Sequence, residues 1–320
     1  MQIEHVKASA DGLPERYRVS GGRLKAEVVP GAGMCLASLE IDGRPQIAMP
    51  LPLGEFMGTQ KTGGVPLLYP WANRLAGDTY AFDGREVDLS DVPDLKRDGS
   101  GLPMHGLLLR YPGWAIETRI DGNEAVVEGR IDWGSDDWLM SAFPFPHELI
   151  VSWTFRVDDS GAEVKSTLTV DASEGPVPVA SGWHPYLAPP VQDRESLRIE
   201  GPALQRIRTG ADGLPECDED GELRTLPLDE LAGPLGTRTY DNLFVAPPRG
   251  FHYTLQGAQD RISIAGGLEW RSLQVYAPTG SRFACIEPMF APTAALSRGR
   301  GMLVAHPGTP FRGTFMITVD

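Results

Sequence analysis

Five short segments set polar side chains of catalytic type among glycine, proline and apolar residues. In Cys285-Ile286-Glu287-Pro288-Met289, the carboxylate follows Phe283–Ile286, which reads as a buried strand. A carboxylate there must be paired, or its pKa must rise. A raised carboxyl is what a general base working near neutral pH requires. The competing reading is a buried Glu–Arg structural pair. In Ser181-Gly182-Trp183-His184-Pro185-Tyr186, the histidine precedes proline and is held extended. Its aromatic neighbours offer a flat apolar wall and lower an imidazole pKa by desolvation. The competing reading is a packing corner of the core.

The other three segments are quieter. Gly63 to Arg74 is an apolar loop that ends in Asn73-Arg74. A guanidinium there suits a clamp on ligand oxygens, since its planar fork offers several donors. A surface salt bridge is the plainer reading. In Pro103-Met104-His105-Gly106, the glycine lets backbone come close to a neighbour and His105 could donate to a ligand hydroxyl. A lone histidine is more often structural. In Tyr240-Asp241-Asn242-Leu243-Phe244, Asp241 could accept from hydroxyls, but Asp-Asn is ordinary turn chemistry, which the residues alone favour.

Other chemistries lack their residues. The six histidines, at 5, 105, 147, 184, 252 and 306, show no metal-ligand spacing. No Gly-x-Ser-x-Gly elbow occurs, and Cys285 beside a carboxylate is a blunted nucleophile. No GxGxxG opens a helix and no phosphate loop ends in Gly-Lys-Ser/Thr, so no nucleotide cofactor is expected. The expectation is neither metal nor cofactor.

The elements that must hold these segments read as strands. Period-two alternation marks Leu24–Val29, two runs within Trp114–Ile131, and two within Glu148–Val170 around Asp158 to Gly161. It marks Arg261–Ile264, Leu273–Tyr276, Phe283–Ile286 and Phe311–Val319 as well. Asp-Gly recurs at 11–12, 42–43, 83–84, 98–99, 121–122, 212–213 and 220–221, several of them between alternating runs as hairpin turns require. The pairs at 98 and 212 suit longer loops. One helical turn is expected over Leu226–Leu231, closed by Pro234 and Gly236. No sustained amphipathic helix appears elsewhere, which argues against βαβ units. Glycine and proline make up 65 of 320 residues, against an average nearer ~12%, and that excludes long helical bundles. The expectation is all-β: one large antiparallel sandwich over residues 1–320, with long loops.

Composition narrows the partners. The formal net charge is -14, which disfavours nucleic acid and anionic membranes but allows a small anion in a local basic pocket. Cys35, Cys217 and Cys285 are odd in number, so a disulfide framework is not expected and a reducing compartment fits. Residues 1–18 carry no apolar signal region, and no run approaches the ~20 residues that span a bilayer. A soluble cytoplasmic protein is expected.

Taken in order, Asn73-Arg74, His105-Gly106, His184-Pro185-Tyr186, Asp241 and Glu287-Pro288 resemble the aldose 1-epimerase (galactose mutarotase) family. Glu287 to Thr293, then Gly301 and Pro307-Gly308, extend the likeness, which runs from about residue 20 to the C-terminus. The resemblance implies a β-supersandwich of the galactose mutarotase-like type and interconversion of α and β anomers of an aldose. It implies Glu287 as the base at the C1 hydroxyl and His184 as the acid at the ring oxygen. Arg74, His105, Asp241 and Asn73 would bind and orient sugar hydroxyls. Leu107 to Trp114 is more apolar than the glycine-rich stretch of the galactose enzymes, and Met289 stands where they tend to carry Gln. These changes flank the expected pocket and bear on which sugar it takes.

Three other readings stay open. One is a mutarotase of a phosphorylated or otherwise anionic sugar, with Arg110 or the Lys96-Arg97 pair supplying positive charge. Another is a non-catalytic carbohydrate-binding sandwich, which would be expected to lack Glu287 or His184. The last is a glycosidase using Asp241 and Glu287 as its two carboxylates. The expected partner is a small-molecule sugar, and the expected state a monomer or homodimer.

Overall fold

The computed structural model describes residues 1–10, 12–158 and 161–320. Among these, strands dominate and the three α-helices, Leu53–Met57, Asp137–Ala142 and Ala295–Arg298, are each six residues or fewer. The all-β expectation holds. Leu24–Val29 and Phe311–Val319 form strands with the bounds the alternation gives. The run around residue 121 folds into Ala115–Asp121 and Glu124–Asp132, joined by Gly122-Asn123. At 42–43 and 83–84, Asp and Gly both take positive φ, as a two-residue hairpin turn of the mirror-image type needs. The Asp-Gly pair at 11–12 and the loop between Asp158 and Gly161 fall partly outside the described residues.

Two large antiparallel sheets make the body. The first has nine strands and carries at its centre Arg261–Gly266, Phe311–Val319, Ala162–Ala172 and His147–Val157, in that order. The second has eight, and from Tyr240–Val245 it runs through Ser272–Ala277, Ala284–Met289 and Gly182–Trp183 to Leu67–Leu68 at its end. A five-stranded sheet, Gln2–Val6 through Arg44–Pro45, flanks them. Alternate residues of the long strands are buried, and aromatic side chains fill the space between the large sheets. Trp183 of the second sheet meets Phe315 of the first edge-on, with ring centroids 5.2 Å apart. One hydrophobic cluster draws on residues from Tyr17 to Val319.

The expected helical turn at Leu226–Leu231 is not formed. Thr225–Asp229 is instead an edge strand on Leu204–Ile207. Pro227 explains the outcome: it breaks a helix interior but is tolerated on a sheet edge, where its missing N–H faces no partner.

Arg194 ties together the chain ends that set the second sheet's working strands. Its Nε donates to the Gly236 carbonyl at 2.7 Å, and Nη2 donates to the carbonyl of Arg238 at 2.6 Å and that of Ala277 at 3.3 Å. Nη1 donates to the Ser281 carbonyl and hydroxyl. These carbonyls bracket the start of Tyr240–Val245 and the turn between Ser272–Ala277 and Ala284–Met289. Arg194→Met leaves them without a donor. Its expected cost is roughly 2–4 kcal/mol. A urea titration should show a lower midpoint at unchanged slope, and an unchanged midpoint would mean that water replaces the guanidinium at no cost.

Candidate active site

The second sheet's inner strands build the floor of a cavity of about 600 Å³. Cys285 and Glu287 lie two apart on the strand Ala284–Met289, so both point to one face. Gln274 stands directly across from Glu287, Tyr276 from Cys285, and Asp241 from Tyr276. The sheet thus lays Asp241, Gln274, Tyr276 and Glu287 on adjoining strands around the cavity.

The other wall comes from loops. His184 follows the short strand Gly182–Trp183 and is fixed by its amide, which donates to the Pro66 carbonyl. Tyr186 stacks on the imidazole at 4.5 Å, nearly parallel, and its hydroxyl sits 2.7 Å from that of Thr62. Asn73 and His105 both hold positive φ, and the His105 amide donates to the Asn73 carbonyl at 2.8 Å. The two loops are therefore one unit, and it brings the His105 ring edge-on to His184 at 5.7 Å.

All six expected site residues, Asn73, Arg74, His105, His184, Asp241 and Glu287, line this single cavity. Two competing readings are corrected. Asp241-Asn242 is not a turn but part of the strand Tyr240–Val245. Asp241 accepts from Gln274 Nε2 at 2.7 Å. Glu287 is not half of a Glu–Arg pair, since its Oε1 lies 3.3 Å from His184 Nε2. Arg74 makes an ion pair and also lines the cavity. Its Nε donates to Asp98 at 2.6 Å and Nη1 to Asn73 Oδ1 at 2.9 Å, while the side chain still faces the cavity.

Burial dominates the electrostatics. Glu287 is 2% exposed, and desolvation pushes its carboxyl well above the usual range. The Asp241 charge pushes it further and Arg74 opposes. Desolvation lowers His184 to about 3, and His105 also falls well below the ordinary histidine value. Burial thus favours the arrangement of the Glu287–His184 pair in which the carboxyl keeps its proton and the imidazole is neutral. Among the described residues, His105 Nδ1 is buried with no hydrogen-bond partner.

The donor atoms of His184, Cys285 and Glu287 all lie within 4.8 Å of one another, close enough to hold a cation. Spacing along the chain does not reveal this cluster, because strand pairing assembles it. The Cys285 thiol is pushed well above its ordinary value by burial and by Glu287.

The aldose 1-epimerase family model matches residues 16–318. The chain belongs to the aldose 1-epimerase family. The Escherichia coli K12 protein YihR is 23% identical over 99% of this chain and 96% of its own. A galactose mutarotase-like protein from Clostridium acetobutylicum superposes with a TM-score of 0.80 at 17% identity, covering 100% of this chain and 98% of that one. Galactose 1-epimerase from Lactobacillus acidophilus NCFM gives a TM-score of 0.72 at 12% identity, again covering 100% and 98%. At these identities the likeness is one of fold, and it makes the two large sheets a galactose mutarotase-like sandwich. In this epimerase-family chain the sequence reading misses Gln274, Tyr276 and Lys61, which also line the cavity. The signal for Gln274 and Tyr276 is the alternation Leu273-Gln274-Val275-Tyr276, in which the polar alternate side faces a covered site instead of open water.

Proposed function

We propose that this protein is an aldose mutarotase in which Glu287 and His184 form the proton-transfer pair. The observation that carries the reading is the 3.3 Å separation of Glu287 Oε1 and His184 Nε2 inside the cavity. Anomer exchange opens the ring by taking a proton from O1 and giving one to O5. Both oxygens are bonded to C1, so the two protein groups that serve them must stand close together. In the opening direction the Glu287 carboxylate takes the O1 proton while protonated His184 supplies O5. The C1–O5 bond breaks, C1 becomes an aldehyde, and rotation about C1–C2 exposes its other face. Closure runs the same transfers backwards. The pair ends each step with the single proton it began with, on the other partner, and no redox change occurs.

Burial sets the balance between the two arrangements of that proton. Desolvation favours neutral Glu287 and neutral His184, the arrangement that fits the open-chain sugar. Attraction across 3.3 Å and the Arg74 charge offset part of the cost of the ionised arrangement that opens the ring. Arg74, His105 and Asp241 supply donors and an acceptor for sugar hydroxyls, and Asn73 holds the Arg74 guanidinium.

The test is NMR exchange between α and β anomers with and without protein. Faster exchange on an aldose supports the reading, and no acceleration on any sugar by a folded protein removes it. The pH profile adds a second check. The working form holds one proton on the pair, so acid inactivates only as the second proton arrives, near the His184 value of about 3. Alkali inactivates as Glu287 loses its proton, well above the ordinary carboxylate value. The limbs belong to the pair. Protein-catalysed kcat/KM should therefore hold a plateau that begins above the His184 value of about 3 and ends well above the ordinary carboxylate value. An alkaline limb centred on the ordinary histidine value of 6.5 would overturn the assignment.

A further inference from the structure

The cavity's charge runs against that of the protein. The chain has five lysines and a net charge of -14, yet two of those lysines, Lys61 and Lys96, line the cavity that holds Glu287 and His184. Lys96 is half-buried, and burial together with the Arg110 charge lowers its pKa. One of its three protons goes to the Gln60 carbonyl at 2.5 Å. Among the described residues neither lysine pairs with a carboxylate. Desolvating an ammonium costs free energy, so a folded chain keeps one half-buried only where something offsets that cost.

The other charges do not supply the offset. Arg74 is matched by Asp98. Of the cavity's two carboxylates, Glu287 faces His184 and Asp241 accepts from Gln274, and among the described residues neither makes an ion pair with a lysine. The remaining cations named from sequence are spent elsewhere. Arg97 pairs with Asp78. The Arg110 guanidinium lies 4.1 Å over the Phe56 ring and donates to the carbonyls of Phe56, Lys61 and Leu109.

We propose that the aldose taken by this site bears an anionic group on its exocyclic arm, held by Lys96 and Lys61. This rests on the mutarotase reading, which it narrows to acidic sugars. The lysines also fall at the right end of the ring. The Lys96 carbonyl accepts from the Met104 amide at 2.9 Å, next to His105, whose ring meets His184 edge-on, and Lys61 adjoins Thr62, whose hydroxyl meets that of Tyr186 stacked on His184. Lys96 thus lies on the His184 side of the pair. His184 serves O5, and the carbon next to O5 is C5, which carries the exocyclic arm. An anion there reaches Lys96 while C1 stays at Glu287. A carboxylate, a phosphate and a sulfonate share this chemistry.

The test compares anomer exchange on glucose, galactose, glucuronate, glucose 6-phosphate and a 6-sulfonated glucose. The expected result is kcat/KM at least tenfold higher on one of the three anions than on either neutral sugar, with the preference shrinking as KCl is added. The anion preferred identifies the group. Lys96→Met should cut the anionic-to-neutral ratio about tenfold. Lys61→Met, in an exposed position, should cut it in the same direction and keeps the proposal testable if the first variant misfolds. Neutral sugars exchanged as fast as all three anions, or a ratio unchanged in both folded variants, would overturn the proposal. Exchange on no sugar would instead remove the mutarotase reading. Calorimetric titration with the same five sugars then decides the proposal alone: tighter anion binding lost in the lysine variants sustains it, and no such preference ends it.

Discussion

Glu287→Gln is expected to abolish most anomer exchange while leaving the fold in place. The amide has nearly the same shape as the carboxyl and can still accept a hydrogen bond through its oxygen. It cannot take the O1 proton. Loss of one positioned proton-transfer group costs about 10²–10⁴-fold in rate. Stability should hold or rise, because burial already disfavours the ionised carboxylate and a neutral amide avoids that cost. Exchange and urea unfolding should be measured on the same sample. Near-normal exchange by the folded variant would exclude Glu287 as the base. Loss of exchange together with collapse of the fold would point to a structural role in the sheet.

Which parts of this site can be read from sequence follows from how each part is made. Glu287 is legible because a carboxylate inside a buried strand contradicts its surroundings, and the contradiction survives without coordinates. His184 is legible for a related reason, since Trp183, Pro185 and Tyr186 crowd it with rigid groups. Asp241 is not legible on its own. Asp-Asn reads as a turn, and only pairing across the sheet to Tyr276, with Gln274 alongside, makes it an acceptor at a cavity. Gln274 is hidden by the rule that finds the strand. Alternation separates a buried side from a polar side, but it does not tell whether the polar side meets water or a site roofed by loops. Lys61 gives no signal at all, because an exposed loop lysine is ordinary until the loop is seen to face Glu287. The strands are legible for the opposite reason. Hairpins such as that around Gly122-Asn123 are local, and their turn residues and alternation lie within a few positions of each other. The edge strand Thr225–Asp229 depends on a distant partner, Leu204–Ile207, and so is read as a helical turn instead.

Gly106→Ala is expected to be the most damaging small substitution near the site. Gly106 takes φ +70°, and a Cβ there would stand 2.1 Å from the Tyr69 carbonyl oxygen, 2.3 Å from its carbon and 2.9 Å from the Pro70 nitrogen. All three are backbone atoms, which cannot rotate away. The surrounding backbone is pinned as well: Leu107 donates to that Tyr69 carbonyl at 2.7 Å, and His105 donates to Asn73 at 2.8 Å. Relief therefore requires the His105 loop to part from the Tyr69–Asn73 loop, and this removes His105 and Arg74 from the cavity together. The expected cost is roughly 3–5 kcal/mol, read as a lower urea midpoint. Should the loop yield while the sandwich holds, misplacing the sugar-binding groups should cost on the order of 10²-fold in exchange. Gly84→Ala separates the two causes. Gly84 has φ +74° in a hairpin turn, and a Cβ there meets nothing within 4 Å. It should cost only the ~1–2 kcal/mol of the left-handed backbone and leave exchange untouched. If both variants lost stability equally, backbone strain alone would account for Gly106. A markedly larger loss at Gly106 would assign the difference to the contact that locks His105 against the Tyr69 backbone.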